Sequence, residues 1–425
     1  MSTLNYRSSK QALPIYNDEK SQRLSVKQNN NLNLLKSNKN TILYLYTLVV
    51  LSWLYTTKYF EVNYVNNAIK SSYKDEDTTK LLVFGDVQIM DKHSYPNRPY
   101  LVNKITQLIL DNYHRKNWIS SQNIIKPQYN VFMGDLFDGG RYWDNQYWLS
   151  EFERFHKIFK KVNIYAKNLL NLPGNHDIGF GDTILKDSFY RFNKFFGNTN
   201  SRIEIKGTNY VIYTIDSIAL SDSKAPEIQN LSIDYLNEVK NYHNVNPLEK
   251  RILLTHVPLF RDPNTQVCGA LRESKKPFPI VKGNQYQTVI SSELTDMILD
   301  CINPDLVLSG DDHDYCEITH SFNNREVKEI TTKSAAMNMG IQHPQLTLLT
   351  IDEKDTLTYS QIDLHTPYMP LLVYGMLSVL SVLYLFFYTF RIEGNDYRKK
   401  NMKLFFYRLM ILSVIVLFLM YRTFI

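Results

Sequence analysis

The sequence predicts an α/β domain whose strands deliver one cluster of metal-type ligands, and three observations predict it. Five apolar runs of strand length each stop abruptly and are followed at once by polar side chains. Leu81 to Phe84 runs into Gly85-Asp86-Val87-Gln88, and Asn130 to Met133 into Gly134-Asp135-Leu136-Phe137-Asp138. Asn168 to Leu172 meets Pro173-Gly174-Asn175-His176-Asp177, Arg251 to Leu254 meets Thr255-His256, and Leu306 to Ser309 meets Gly310-Asp311-Asp312-His313. Helix-length segments separate these runs, which is the α/β texture. From Glu317 onward the pattern changes to short alternating runs, as in an antiparallel sheet. Read from the residues alone, the five ligand-bearing ends form one site at one edge of a sheet.

Taken in order, residues 1–40 are polar and rich in Asn, Ser and Lys, the composition of a basic disordered arm. Residues 41–60 are apolar enough for a first membrane span, with Trp53, Tyr55 and Tyr59 where an aromatic belt lies. The long polar n-region and the absence of a small-residue cleavage site favour a signal anchor over a cleaved signal. Residues 61–367 are the domain. Within it, Leu101 to Trp118 reads as the helix between the first two strands, and Trp148 to Leu170 as the next connection. Tyr210 to Asp216 reads as a strand, Ser232 to Tyr242 and Ser291 to Cys301 as helices, and Lys328 to Lys333, Leu346 to Ile351 and Leu357 to Ile362 as late strands. Residues 261–288, a long loop directly after His256, have the length of a functional or mobile segment.

Residues 368–390 predict a second span, 391–403 a basic loop, and 404–424 a third span with Arg408 and Arg422 at its ends. The positive-inside rule puts the N-terminal arm and the basic loop in the cytosol, and therefore residues 61–367 in a lumen or outside the cell. Asn230-Leu231-Ser232 would then be an accessible glycosylation acceptor. The formal charge of +6 over 425 residues is modest and concentrated at the chain ends, which argues for membrane orientation rather than nucleic-acid binding. Cys268, Cys301 and Cys316 are too few for a disulfide framework. They are expected as buried thiols, with a Cys268–Cys316 bridge as the alternative in an oxidising lumen.

The ligand types define the chemistry. Asp86, Asp135 and Asp311 bring anionic oxygen, Gln88 and Asn175 amide oxygen, and His256 and His313 nitrogen. Shared between two divalent ions, such a set supports hydrolysis of a phosphorus ester. Gly-Asp after a strand is by itself a common turn. All five motifs in this order are far more specific.

On these motifs the sequence resembles the calcineurin-like metallophosphoesterase superfamily over roughly residues 80–350. The resemblance implies a four-layer α/β/β/α sandwich flanked here by transmembrane helices, with a dinuclear centre at the strand ends. By motif position, Asp86, Gln88, Asp135 and His313 would hold one ion, and Asp135, Asn175, His256 and Asp311 the second. His176 would protonate the leaving oxygen or stabilise the transition state, oriented by Asp177. Gln88 and Asp311 stand where the superfamily pattern has histidine, so the centre is richer in oxygen and favours Mn²⁺ or Mg²⁺ over Zn²⁺, with Mn²⁺ the first choice. Asp312 is the alternative ligand to Asp311.

The flanking residues, Gly85-Asp86-Val87-Gln88-Ile89 and Ser309-Gly310-Asp311-Asp312-His313-Asp314-Tyr315-Cys316 among them, are similar to the membrane-anchored metallophosphoesterases that remodel glycosylphosphatidylinositol (GPI) anchors. That resemblance implies a phosphodiesterase of the endoplasmic reticulum membrane, with a lumenal catalytic domain. It would remove an ethanolamine-phosphate branch from a mannose of GPI lipid or GPI-anchored proteins, with secretory cargo-sorting partners. Arg141, Arg261 and Tyr315 follow ligand motifs and are expected to touch substrate, and Asp138 and Asp314 to orient ligand histidines. The alternatives are a phosphoesterase for another membrane-linked or secretory substrate and, from a different class, a non-catalytic metal-homeostasis or cargo-binding protein.

Overall fold

The computed structural model describes residues 44, 46–180, 184–245, 248–392 and 398–424. The basic arm expected over 1–40 and much of the basic loop lie outside them. The chain divides into two units, Lys58–Met376 with the last residues, and the described part of 1–57 with Leu377–Arg422.

The larger unit holds two mixed sheets. Its strands are β1 (Thr79–Phe84), β2 (Tyr129–Phe132), β3 (Lys167–Leu169), β4 (Ser201–Glu204), β5 (Tyr210–Ile215), β6 (Lys250–Thr255), β7 (Lys282–Gly283), β8 (Tyr286–Gln287), β9 (Leu306–Ser309), β10 (Cys316–Phe322), β11 (Arg325–Thr331), β12 (Gln345–Ile351) and β13 (Leu357–Asp363). One sheet runs β13-β12-β1-β2-β3 and the other β10-β11-β9-β6-β5-β4. The strands that precede the site residues are parallel within each sheet; β12 and β13 add an antiparallel edge to the first, while β11 joins β9 in parallel and β10 and β4 form antiparallel edges of the second. The single sheet edge expected from the residues is therefore corrected: Asp86 and Asp135 follow strands of one sheet, His256 and Asp311 strands of the other.

Period-two alternation builds the layers. Leu81, Val83, Val131 and Met133 share a buried cluster with Ile212, Ile252, Leu254, Leu306 and Leu308, which is the interface between the sheets. The alternate residues Leu82, Phe84, Phe132, Tyr213, Leu253 and Val307 belong to a second cluster with helical residues such as Trp118, Phe155, Leu236 and Ile298. Strands buried on both faces explain the continuous apolar runs of the sequence. The result is the expected four-layer sandwich.

The helices differ from expectation mainly at their ends. The first connection extends over Tyr100–Ile125 and stops at Lys126, which takes a left-handed φ of 54°. The second covers only Asn145–Ile158, capped by the Asp144 side chain, and an irregular stretch leads to β3. Pro226–Val245 is longer than the expected helix, and Ser292–Ile302 matches closely. The cysteine expectation is corrected: Cys268 is bonded to Cys316 across 48 residues, and only Cys301 is free among the described residues.

Two helices, Tyr368–Phe390 and Asn401–Tyr421, are long and apolar enough to cross a membrane. The second begins three residues before the expected span. The expected N-terminal span falls partly outside the described residues; within them, 46–58 are helical. Within the smaller unit, Trp53 Nε1 donates to Ser381 Oγ at 3.1 Å, and Arg408 Nη1 to Thr389 Oγ1 at 3.0 Å.

Candidate metal centre

The residues expected as ligands sit where the strands end and the backbone turns sharply. Asp86, Gln88, Asp135, Asp311 and His313 all adopt positive φ, between 29° and 66°, a region that side-chain-bearing residues rarely occupy. Such strain persists where surrounding contacts enforce it, and it gathers at functional sites. Gly134 and Gly174 permit the crowding: a Cβ on Gly134 would lie 2.5 Å from His256 Nδ1, and one on Gly174 1.9 Å from Asp135 Oδ1.

The geometry brings Asp86, Asp135 and His256 together, with one ligand atom from each within 4.8 Å of the others. His256 Nε2 is 3.6 Å from both Asp135 Oδ1 and Asp311 Oδ1. Its Nδ1 donates to the Met133 carbonyl at 2.7 Å, which turns Nε2 toward the carboxylates.

Three further side chains are pinned in the same manner, one polar atom anchored and the other left over. Asp86 Oδ1 accepts from the Asp311 amide at 3.1 Å, and Asn175 Nδ2 donates to the Gln285 carbonyl at 3.1 Å. Gln88 Nε2 donates to Asp138 Oδ1 at 3.0 Å. Asp86 Oδ2, Gln88 Oε1, Asn175 Oδ1, Asp311 Oδ2 and His256 Nε2 are buried without a hydrogen-bond partner. Each such atom costs about 1–3 kcal/mol. Burial raises the Asp86 carboxyl well above the usual carboxylate range; His256 opposes this, and Asp135 and Asp311 add to it. Burial lowers the His256 imidazole, but Asp135, Asp311 and Asp86 outweigh it and hold it well above its ordinary value. So much negative charge in so little space calls for cationic charge among it. Four oxygens and one nitrogen, already oriented, fit divalent cations.

Residues 79–315 match the family model described as calcineurin-like phosphoesterase. The chain belongs to that family. It is 44% identical over 324 residues to Cell division control protein 1 of Saccharomyces cerevisiae, covering 73% of this chain and 65% of the relative. It is 26% identical over 280 residues to Metallophosphoesterase 1 of Xenopus laevis, covering 59% of this chain and 66% of that one. The chain thus spans just under two thirds of the length of these curated relatives. Membership of the calcineurin-like phosphoesterases implies metal-dependent hydrolysis of a phosphoric ester.

Around this phosphoesterase centre several expected roles change. Asp177 does not orient His176: its carboxylate accepts the amides of Gly174, Leu136 and Phe137 at 2.9–3.1 Å and ties two ligand loops together. Burial, with Asp135 adding to it, pushes its carboxyl up to about 7. His176 is held instead by the Asp138 carbonyl, 2.5 Å from Nδ1, while the Asp138 carboxylate lies 3.4 Å from the same nitrogen. Asp314 accepts the Glu273 and Ser274 amides and lies 4.0 Å from Arg272 Nε, and among the described residues it pairs with no histidine. Asp312 is paired with Arg272, which leaves Asp311 as the inward carboxylate. His313 lies in the fields of Asp311 and Asp135; burial lowers its imidazole.

Two of the three expected substrate contacts are corrected. Arg261 is 1% exposed, with Nη2 2.7 Å from Glu329 Oε1. Tyr315 is 2% exposed, and its hydroxyl donates to Glu317 at 2.7 Å. Arg141 keeps its position beside the centre, donating to the Asn175 carbonyl at 2.8 Å. It opens onto a groove of about 940 Å³ also lined by Trp143, Tyr190, Arg191 and Lys194. Arg272, Gln285 and Arg191 carried no sequence signal beyond the length of the 261–288 loop, which supplies the first two.

Proposed function

We propose that the chain is a membrane-anchored, manganese-dependent phosphodiesterase that removes an ethanolamine-phosphate branch from a mannose of GPI anchors, with its domain on the lumenal side of the endoplasmic reticulum membrane. The observation that carries this reading is the set of inward, unsatisfied donors in which Gln88 and Asp311 contribute oxygen. Asp86, Gln88, Asp135 and His313 would hold one cation, and Asp135, Asn175, His256 and Asp311 the other. Hard oxygen donors favour Mn²⁺. Bound there, the cations would supply Lewis acidity toward the phosphoryl oxygens.

His176, its Nδ1 engaged by Asp138, keeps Nε2 to give a proton to the departing oxygen. Arg141, on the groove that Trp143 and Lys194 also line, offers a guanidinium group that suits phosphate oxygens. The Cys268–Cys316 bond supports an oxidising compartment. The two apolar helices support anchorage beside a lipid-linked substrate. GPI lipid and GPI-anchored proteins are then the substrates, and cargo-sorting proteins the natural partners.

Mass spectrometry of GPI glycans from cells lacking the protein, complemented with wild type or Asp135→Ala, tests the substrate. Wild type is expected to lower the ethanolamine-phosphate count and Asp135→Ala to leave it high. An unchanged count in the null strain excludes the GPI substrate. Full rescue by His176→Ala removes the enzyme reading.

A further inference from the structure

The helix Tyr100–Ile125 begins with its polarity inverted. In its first three turns Tyr100, Leu101, Val102, Ile105 and Leu108 are between 47% and 74% exposed, whereas Asn103 and Gln107 are buried. Asn103 donates to the Tyr95 carbonyl at 2.9 Å and Gln107 to the Met90 carbonyl at 3.3 Å. A surface helix in water presents the opposite pattern. Leu101, Ile105 and Leu108, spaced by four and three residues, make one outward stripe. Contiguous apolar surface of this kind marks an interaction site.

The same helix is fastened to the start of a candidate span. Glu61 accepts from Asn112 at 2.7 Å through Oε2 and from the Tyr374 hydroxyl at 2.9 Å through Oε1. Tyr113 donates to the His365 carbonyl at 3.1 Å. Tyr374 lies within Tyr368–Phe390, about 9 Å along the axis from its first residue at 1.5 Å per residue. The apolar stripe lies on the helix roughly 6–17 Å from the Asn112 contact. Arg98 and Lys104 stand beside it, as cations do on helices that lie on anionic membranes.

We propose that the first three turns of this helix lie in the headgroup–acyl boundary of the bilayer, as an interfacial seat for the catalytic domain. The inference rests on reading Tyr368–Phe390 as a membrane span. The seat reaches the metal centre by a short path: Gln107 and Arg154 both donate to the carbonyl of Met90, two residues after Gln88. The loop carrying Gln88 is thereby held at the membrane surface, where a lipid-linked phosphodiester presents its head.

Full-length chain reconstituted in phosphatidylcholine–phosphatidylserine vesicles tests this. An environment-sensitive nitrobenzoxadiazole label is placed on Ile105→Cys, Leu380→Cys or Lys354→Cys, with signal from the buried Cys301 subtracted using unsubstituted protein. Lys354 is exposed at the β12–β13 turn and serves as the aqueous control. The Ile105 label is expected to shift to the blue and to be quenched by shallow spin-labelled lipid more than by deep, the Leu380 label the reverse. A quenched Leu380 with an unquenched Ile105 overturns the seat and leaves the span standing. If neither is quenched, both readings fall. An Ile105 label shielded from water but untouched by lipid quenchers, or Ile105→Cys chains that cross-link to one another, assigns the stripe to a protein partner or a second copy and overturns the proposal.

Discussion

Arg261 and Glu329 form an ion pair sealed from solvent, with Nη2 2.7 Å from Oε1. Glu329 also accepts from Ser309 Oγ at 2.6 Å and faces His320 Nε2 at 2.6 Å, so the pair braces β9 two residues before Asp311. Removing one partner of such a pair leaves a buried charge alone, at a cost of about 3–5 kcal/mol. Arg261→Met is therefore expected to lower stability by that order in chemical unfolding, and Arg261→Met with Glu329→Gln to regain part of it. A raised KM with unchanged stability would restore the substrate-contact role.

Asp138 serves two residues at once, Gln88 through its carboxylate and His176 through its carbonyl. Asp138→Ala is expected to reduce kcat roughly 10–100-fold with a smaller change in KM, the usual scale for partners of metal ligands. Asp138→Asn, which can still accept from Gln88, should lose less. Steady-state kinetics of the two variants separate positioning from bulk.

Metal removal has a structural readout independent of turnover. Chelation is expected to lower the melting temperature, and Mn²⁺ to restore it, because a ligand at about 100 times its Kd stabilises by about 2.7 kcal/mol. In Asp135→Asn the metal-dependent rise should vanish. Stoichiometric zinc, with full activity only with zinc, would refute the manganese assignment.

The Cys268–Cys316 bond holds the loop whose Arg272, Glu273 and Ser274 engage Asp312 and Asp314. Cys268→Ser is expected to cost roughly 2–4 kcal/mol. Limited proteolysis should then cut first within residues 261–288, and a cleavage pattern identical to wild type would contradict this.

Burial pushes the Asp216 carboxyl up to about 6, from 3.8, although the Ala219 amide opposes the shift. The folded state thus binds this proton more tightly than the unfolded chain. Its contribution to stability is present below pH 3.8 and is lost as pH rises through about 6. Asp216→Asn keeps an acceptor for Ala219 and should stabilise by about 1–3 kcal/mol at pH 7, with little effect near pH 4. Thermal melts at the two pH values measure the difference.

The layers and the convergence of Asp86, Asp135 and His256 were legible because strand ends, glycines and polar side chains occur together in sequence, as at Gly134-Asp135. What the chain brings together from afar was not. Arg261 follows a ligand motif like a substrate contact, yet its partner Glu329 is on another strand. Asp177 stands beside His176, but its carboxylate turns to backbone amides of the Asp135 loop. The three cysteines gave a bridge and a pair of thiols the same appearance, and spatial approach decides between them.

The two sheets meet through Val83, Val131 and Met133 against Ile252, Leu254 and Leu308, side chains without a polar atom. Asp86 and Asp135 ride on one layer, His256 and Asp311 on the other. The bite of the centre is thus a packing dimension, the thickness of an apolar seam. A methyl group gained or lost at Val131 would retune the ligand spacing without touching a ligand, as a shim alters the jaws of a clamp.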